Sequence, residues 1–159
     1  MRRTSVIVIA AIAVVSLVPV VAGASSAGVA SSQPNAQYSL WRTAPTSTAN
    51  RSFGPLTGLG VRICAAGAVS ATVSIYGAGG PMQFEVLVDD GGAMAPGRVT
   101  FTPVGAGTVA AFTFISNAQP FEANDHHVYQ VEWRSATGQR STALSATLNL
   151  IYQHGTHAC

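Results

Sequence analysis

The chain is 159 residues long, 48% hydrophobic and only 9% charged, with two cysteines and no lysine. That length suits one domain with its own core. The pI of 8.8 owes much to Arg2 and Arg3: without them the eight arginines fall to six, equal to the six acids, so the remainder holds no basic patch for a nucleic acid and no charged tail.

Residues 1–24 read as a secretory signal peptide. Arg2 and Arg3 form a basic n-region, residues 6–21 are apolar except for Ser16 and Pro19, and Ala22-Gly23-Ala24 presents small residues at a cleavage site. The apolar run sits at the short limit for spanning a bilayer and contains a proline. The expectation is therefore a secreted, extracellular protein with no stable membrane insertion after cleavage. Gly28-Val29-Ala30 offers a second cleavage site. Residues 25–37 are small and polar and read as a flexible lead, leaving 38–159 as the folded domain.

Residues 38–42 predict a short first strand carrying Tyr38 and Trp41, and the Thr-, Ser-, Pro- and Gly-rich stretch 43–60 predicts a long loop. Within it, Asn50-Arg51-Ser52 is a formal glycosylation sequon. From residue 61 the texture changes to period-two alternation. Val69, Ala71, Val73 and Ile75 share one face, and Met82, Phe84, Val86 and Val88 share another. His127, Tyr129, Val131 and Trp133 do the same, followed by Leu144, Ala146, Leu148, Leu150 and Tyr152. Each pattern is that of a half-buried antiparallel strand. Residues 108–116 are apolar on both faces, which predicts a strand covered twice or one facing a partner. Gly/Pro and Asp-Gly turns separate the runs. About seven strands from residue 61, plus the one at 38–42, predict an all-β, antiparallel two-sheet sandwich, jelly-roll-like or Ig-like, with 142–153 beside the first strand.

Two cysteines in an exported chain predict one disulfide, Cys64–Cys159. It closes a loop of about 95 residues and contributes about 4–5 kcal/mol in the chain-entropy view.

The run His127-x-Tyr129-x-Val131-x-Trp133-Arg134, then Gly138 and an apolar strand through Leu148 to Tyr152, resembles the final hairpin of C1q/TNF-like jelly rolls. Small exported bacterial β-sandwich proteins look similar over the same residues, 112–153. The resemblance implies a jelly roll used for binding or structure, with a trimer as the oligomer to expect, and it implies no reaction.

Several constellations bear on chemistry. His126 and His127 enter one strand, and His154-x-x-His157-x-Cys159 ends the chain. Imidazoles and a thiolate are zinc and copper ligands, but adjacent strand residues face opposite ways and the spacing matches no zinc pattern. His154 and His157 are the speculative metal pair, with no cofactor expected. Asp89-Asp90-Gly91-Gly92 and Glu122-x-x-Asp125 offer oxygens for calcium without the calcium-loop motif. Paired carboxylates and a nucleophile elbow are both lacking.

The expectation is a non-enzymatic, exported binding or structural protein whose partner is a protein or a glycan, with Tyr38 and Trp41 as its speculative binding residues. A homo-oligomer is expected from the apolar second face at Phe112 and Phe114. Two alternatives come from other classes. One is a small metal-dependent or hydrolytic enzyme using His126, His127, His154 and His157. The other is a secreted inhibitor or effector acting through the 43–60 loop.

Overall fold

A computed structural model describes residues 35–89, 91–105, 107–116 and 126–154. The chain separates into two units, 1–31 and 32–159, and every described residue belongs to the second. The expected signal peptide (1–24) and most of the expected lead lie outside the described residues, as do Asp90, Glu122, Asp125, His157 and Cys159. No helix among the described residues is long and apolar enough to cross a membrane.

The described residues are all-β. In chain order they form β1 (Asn35–Arg42), β2 (Thr46–Thr48), β3 (Gly54–Gly79), β4 (Met82–Val88), β5 (Gly92–Ala93), β6 (Val99–Phe101), β7 (Thr108–Ile115), β8 (His126–Ser135) and β9 (Ser141–His154). Antiparallel pairing sorts them into two sheets that share β3. In sheet A, β1 and β2 lie along one edge of β9, β9 pairs with the second part of β3, and β7 pairs with the far edge of that part. In sheet B the first part of β3 pairs with β8, β8 with β4, and β4 with β5 and β6. As the sequence predicts, the last strand lies beside the first, with Leu40 opposite Leu148.

β3 serves both sheets because it is 26 residues long and bulged. Its register against β9 shifts between Ala66 and Ser70, and Gly67 there has a φ of 72°. A bulge with a left-handed glycine turns the strand from one sheet into the other at little steric cost. A second irregularity lies between Pro55 and Gly60, where Gly58 has a φ of 87°. It brings both Leu56 and Leu59 into the core. Their three-residue spacing breaks the period-two signal, which is why 43–60 reads as a loop although Thr46–Thr48 and Gly54 onward are strand. β1 likewise starts at Asn35, inside the expected lead.

The inner faces of the two sheets share one core. Val69, Ala71, Val73 and Ile75 of β3, Met82, Phe84 and Val86 of β4, Tyr129, Val131 and Trp133 of β8, and Leu148, Leu150 and Tyr152 of β9 are all buried. Phe84 of sheet B joins the two sheets: its ring centroid lies 6.5 Å from that of Phe112 on β7 of sheet A, and within sheet B it lies 6.3 Å from that of Trp133 on β8. Truncating Phe84 to alanine at such a site costs about 3–5 kcal/mol. One expected core position differs. A bulge in β9 opposite Tyr76 and Gly77 buries Ala143 and leaves Leu144 half-buried. Phe112 and Phe114 both face inward, so the outward face of β7 is Val109, Ala111, Thr113 and Ile115.

Candidate functional site

The two outward faces of the sandwich differ in chemistry. On sheet A the pairing registers set out rows across β1, β9, β3 and β7. One row is Gln37, Ile151, Ser70 and Ile115; the next is Ser39, Asn149, Thr72 and Thr113; the next is Trp41, Thr147, Ser74 and Ala111. Ser145, Tyr76 and Val109 form the last. Among the described residues no position of this face carries a charge. Hydroxyls and two amides fill its middle, and apolar groups stand among them: Trp41 is 73% exposed, with Tyr76, Val109, Ile115 and Ile151 also exposed.

Local packing holds this surface. The Oγ1 atoms of Thr72 and Thr113 are 3.4 Å apart across β3 and β7. The Tyr76 ring lies over Gly107, where an added Cβ would come within 2.5 Å of the ring and hydroxyl. Glycine at 107 therefore lets the ring lie flat at the end of β7. A pocket of about 290 Å³ opens at the opposite end, lined by Ser70, Ile115, Ile151 and residues of the β3 bulge.

Sheet B presents the opposite character. Its outward positions include Gln83, Glu85, Gln130, Glu132 and Arg134, and several of their polar groups are engaged: Gln130 Nε2 donates to Leu59 O and Val131 O. Arg98 Nε donates to Glu85 Oε2 at 3.1 Å, and Arg134 Nε donates to Gln83 Oε1 at 2.8 Å. The Phe53 ring lies under both guanidinium groups, 4.6 Å from Arg134 and 5.0 Å from Arg98. Such cation–π and ion contacts close this face over itself.

The residues singled out from sequence are placed as follows. Trp41 stands on the uncharged outer face. Tyr38, three residues earlier on β1, belongs to the opposite row with Leu150, so the two aromatics do not share a surface. Trp133 is core, as its alternation predicts. His126 is exposed and His127 is buried, on opposite faces of β8. The backbone of His126 is level with Cys64, and that of His154 with Ala65, so β8 and β9 bring these backbone positions to the middle of β3, where it passes from sheet B to sheet A. Among the described residues no group of three histidine, cysteine or acidic side chains is arranged to hold a metal.

His127 has a specific partner that sequence reading missed. Its Nδ1 donates to Asp89 Oδ2 at 2.6 Å, which places the ring proton on Nδ1. Asp89 Oδ1 accepts the Val128 N–H at 2.8 Å, and the Asp89 N–H donates to Val128 O at 2.9 Å. Asp89 reaches both from a left-handed conformation, φ 52°, which aspartate tolerates better than most residues. Asp89, whose turn offers oxygens for calcium without the calcium-loop motif, thus clamps the end of β4 to the start of β8. Burial raises its carboxyl, but the bonds from His127 and Val128 and the nearby charges of His127 and Arg62 outweigh it and hold the group below its ordinary value.

No protein-family model matches this chain, and no curated protein does.

Proposed function

We propose that this chain is an exported, non-enzymatic binding module that takes a neutral glycan on the outward face of sheet A. The observation that carries the reading is the absence of charge from that face around a Trp41 that is 73% exposed. An exposed indole costs hydration unless something covers it. A sugar ring offers an apolar C–H face to stack on it, and hydroxyls that pair with Ser39, Thr72, Ser74, Thr147 and Asn149. An anionic ligand would find no cation here. The face measures about 15 by 20 Å between Cα positions, from a strand spacing of about 4.8 Å and a two-residue repeat of about 6.8 Å.

Export rests on the n-region, apolar run and Ala-Gly-Ala site of residues 1–24. The Cys64–Cys159 disulfide belongs to the same reading. β9 ends at His154 level with Ala65, and the remaining residues reach about 16 Å when extended, enough to return Cys159 to Cys64.

The test is depletion of the purified protein from solution by insoluble neutral and anionic polysaccharides. Retention on a neutral polysaccharide, unaffected by salt, supports the reading. Retention only on anionic material, lost as salt rises, contradicts it.

A further inference from the structure

We infer that the open edge of β7 pairs with the same edge of a second copy, antiparallel, about a two-fold axis at Ala111. Ile115 defines which side of β7 is open. It exchanges both backbone hydrogen bonds with Ala95, at 2.8 Å in each direction, on the side away from β3. Backbone groups alternate between the two sides of a strand, so Val109, Ala111 and Thr113 turn their N–H and C=O groups the same way. Among the described residues no strand pairs with them there.

Edges of this kind are ordinarily guarded by a charge, a proline, a bulge or short length. β7 is eight residues, TVAAFTFI, with none of these guards. It is also apolar on both sides: Val109 and Ile115 are exposed outward, and Phe112 is only half-buried on the inner side. A neighbouring strand would satisfy the backbone and cover both sets of side chains.

The register points to a second copy. Ala95 closes the edge at Ile115, which leaves Val109, Ala111 and Thr113 as the open ladder. A two-fold axis at Ala111 is the arrangement that uses all three in both copies, with Val109 opposite the partner's Thr113 and alanine opposite alanine. Small side chains meet at the axis and no like charges are opposed. The rest of the outward face of sheet A is uncharged as well, so two copies approach without repulsion. A ladder this short buries less than a stable dimer needs, so the pair dissociates on dilution. This pairing does not rest on the glycan reading; its consequence for that face is to join the two copies' faces into one surface.

Sedimentation velocity over a range of protein concentration tests it. The expected result is a mass that rises from one copy to two, with amide exchange at Val109, Ala111 and Thr113 slowing as concentration rises. Ala111→Pro removes an outward N–H but spares the bonds that Ala110 and Phe112 make to β3; Thr113→Lys places an ammonium group at the edge. Both variants are expected to stay single where the wild type is paired, with an unchanged circular dichroism spectrum. If Ala111→Pro fails to fold, Thr113→Lys and the exchange data decide. A wild type that stays single at every concentration overturns the proposal. So does pairing that persists in the folded variants, or assembly into trimers or open chains, which a β7-to-β1 contact would produce.

Discussion

Asp89 and His127 are joined by a 2.6 Å hydrogen bond between Oδ2 and Nδ1, and this pair ties the end of β4 to the start of β8. The Asp89 carboxyl is held below its ordinary value of 3.8. A depressed carboxyl contributes stability that is complete above the unfolded value and is lost as pH falls through the folded one. Asp89→Asn keeps a residue that tolerates the left-handed backbone but removes the charge. Because the Asp89 side chain is 46% exposed, the expected loss is modest, about 1 kcal/mol at pH 7. Urea unfolding at pH 7 and near pH 3 measures it. The gap between the two proteins should narrow at the lower pH; a constant gap would show that the charge is not the cause.

Tyr129 is fully buried, and its hydroxyl has no hydrogen-bond partner among the described residues. Burial pushes that hydroxyl up, and the Asp89 charge adds to the shift. A buried polar group without a partner costs free energy that its removal returns. Tyr129→Phe is expected to be neutral or to stabilise by up to about 1 kcal/mol. A urea midpoint that falls instead would mean the hydroxyl is bonded in solution.

The proposed Cys64–Cys159 disulfide makes a prediction about the chain end. Cys159→Ser should lower stability by about 4 kcal/mol, and a reductant should destabilise the wild type but not the variant. The intact protein should weigh two hydrogens less than its reduced form and resist alkylation. Ready alkylation of both cysteines in the native protein would rule the disulfide out.

The sandwich was legible in the sequence wherever β-branched and aromatic residues alternate without interruption, as at 69–75, 82–88 and 126–134. It was hidden where bulges break the period. Leu56 and Leu59 are both core despite their odd spacing, because Gly58 is left-handed. In β9 a bulge puts Ala143 in the core in place of the expected Leu144, while Ala146 is buried as its alternation predicts. Trp41 stood out in the sequence as a candidate binding aromatic before a loop, but packing across the end of the sandwich explained it as well, and only the structure shows it exposed. Its surroundings were not legible, since Ser70, Thr72 and Ser74 read as the ordinary polar half of a strand. What marks them is the lack of charge across four strands, and that needs the registers of β1, β9, β3 and β7 to be known together. The Asp89–His127 clamp was out of reach for a related reason: the two residues are far apart in the chain and meet only through the pairing of β4 with β8.

The most direct test of the binding reading is a set of depletion isotherms on a neutral polysaccharide for the wild type, Trp41→Ala and Thr100→Ala, the last an exposed position on sheet B. Exposed substitutions of this kind should change stability by no more than about 0.5 kcal/mol, so melting temperatures should agree. The account predicts that Trp41→Ala loses most of the affinity, by about tenfold for each 1.4 kcal/mol of stacking removed, while Thr100→Ala binds like the wild type. Equal binding by all three proteins would contradict it.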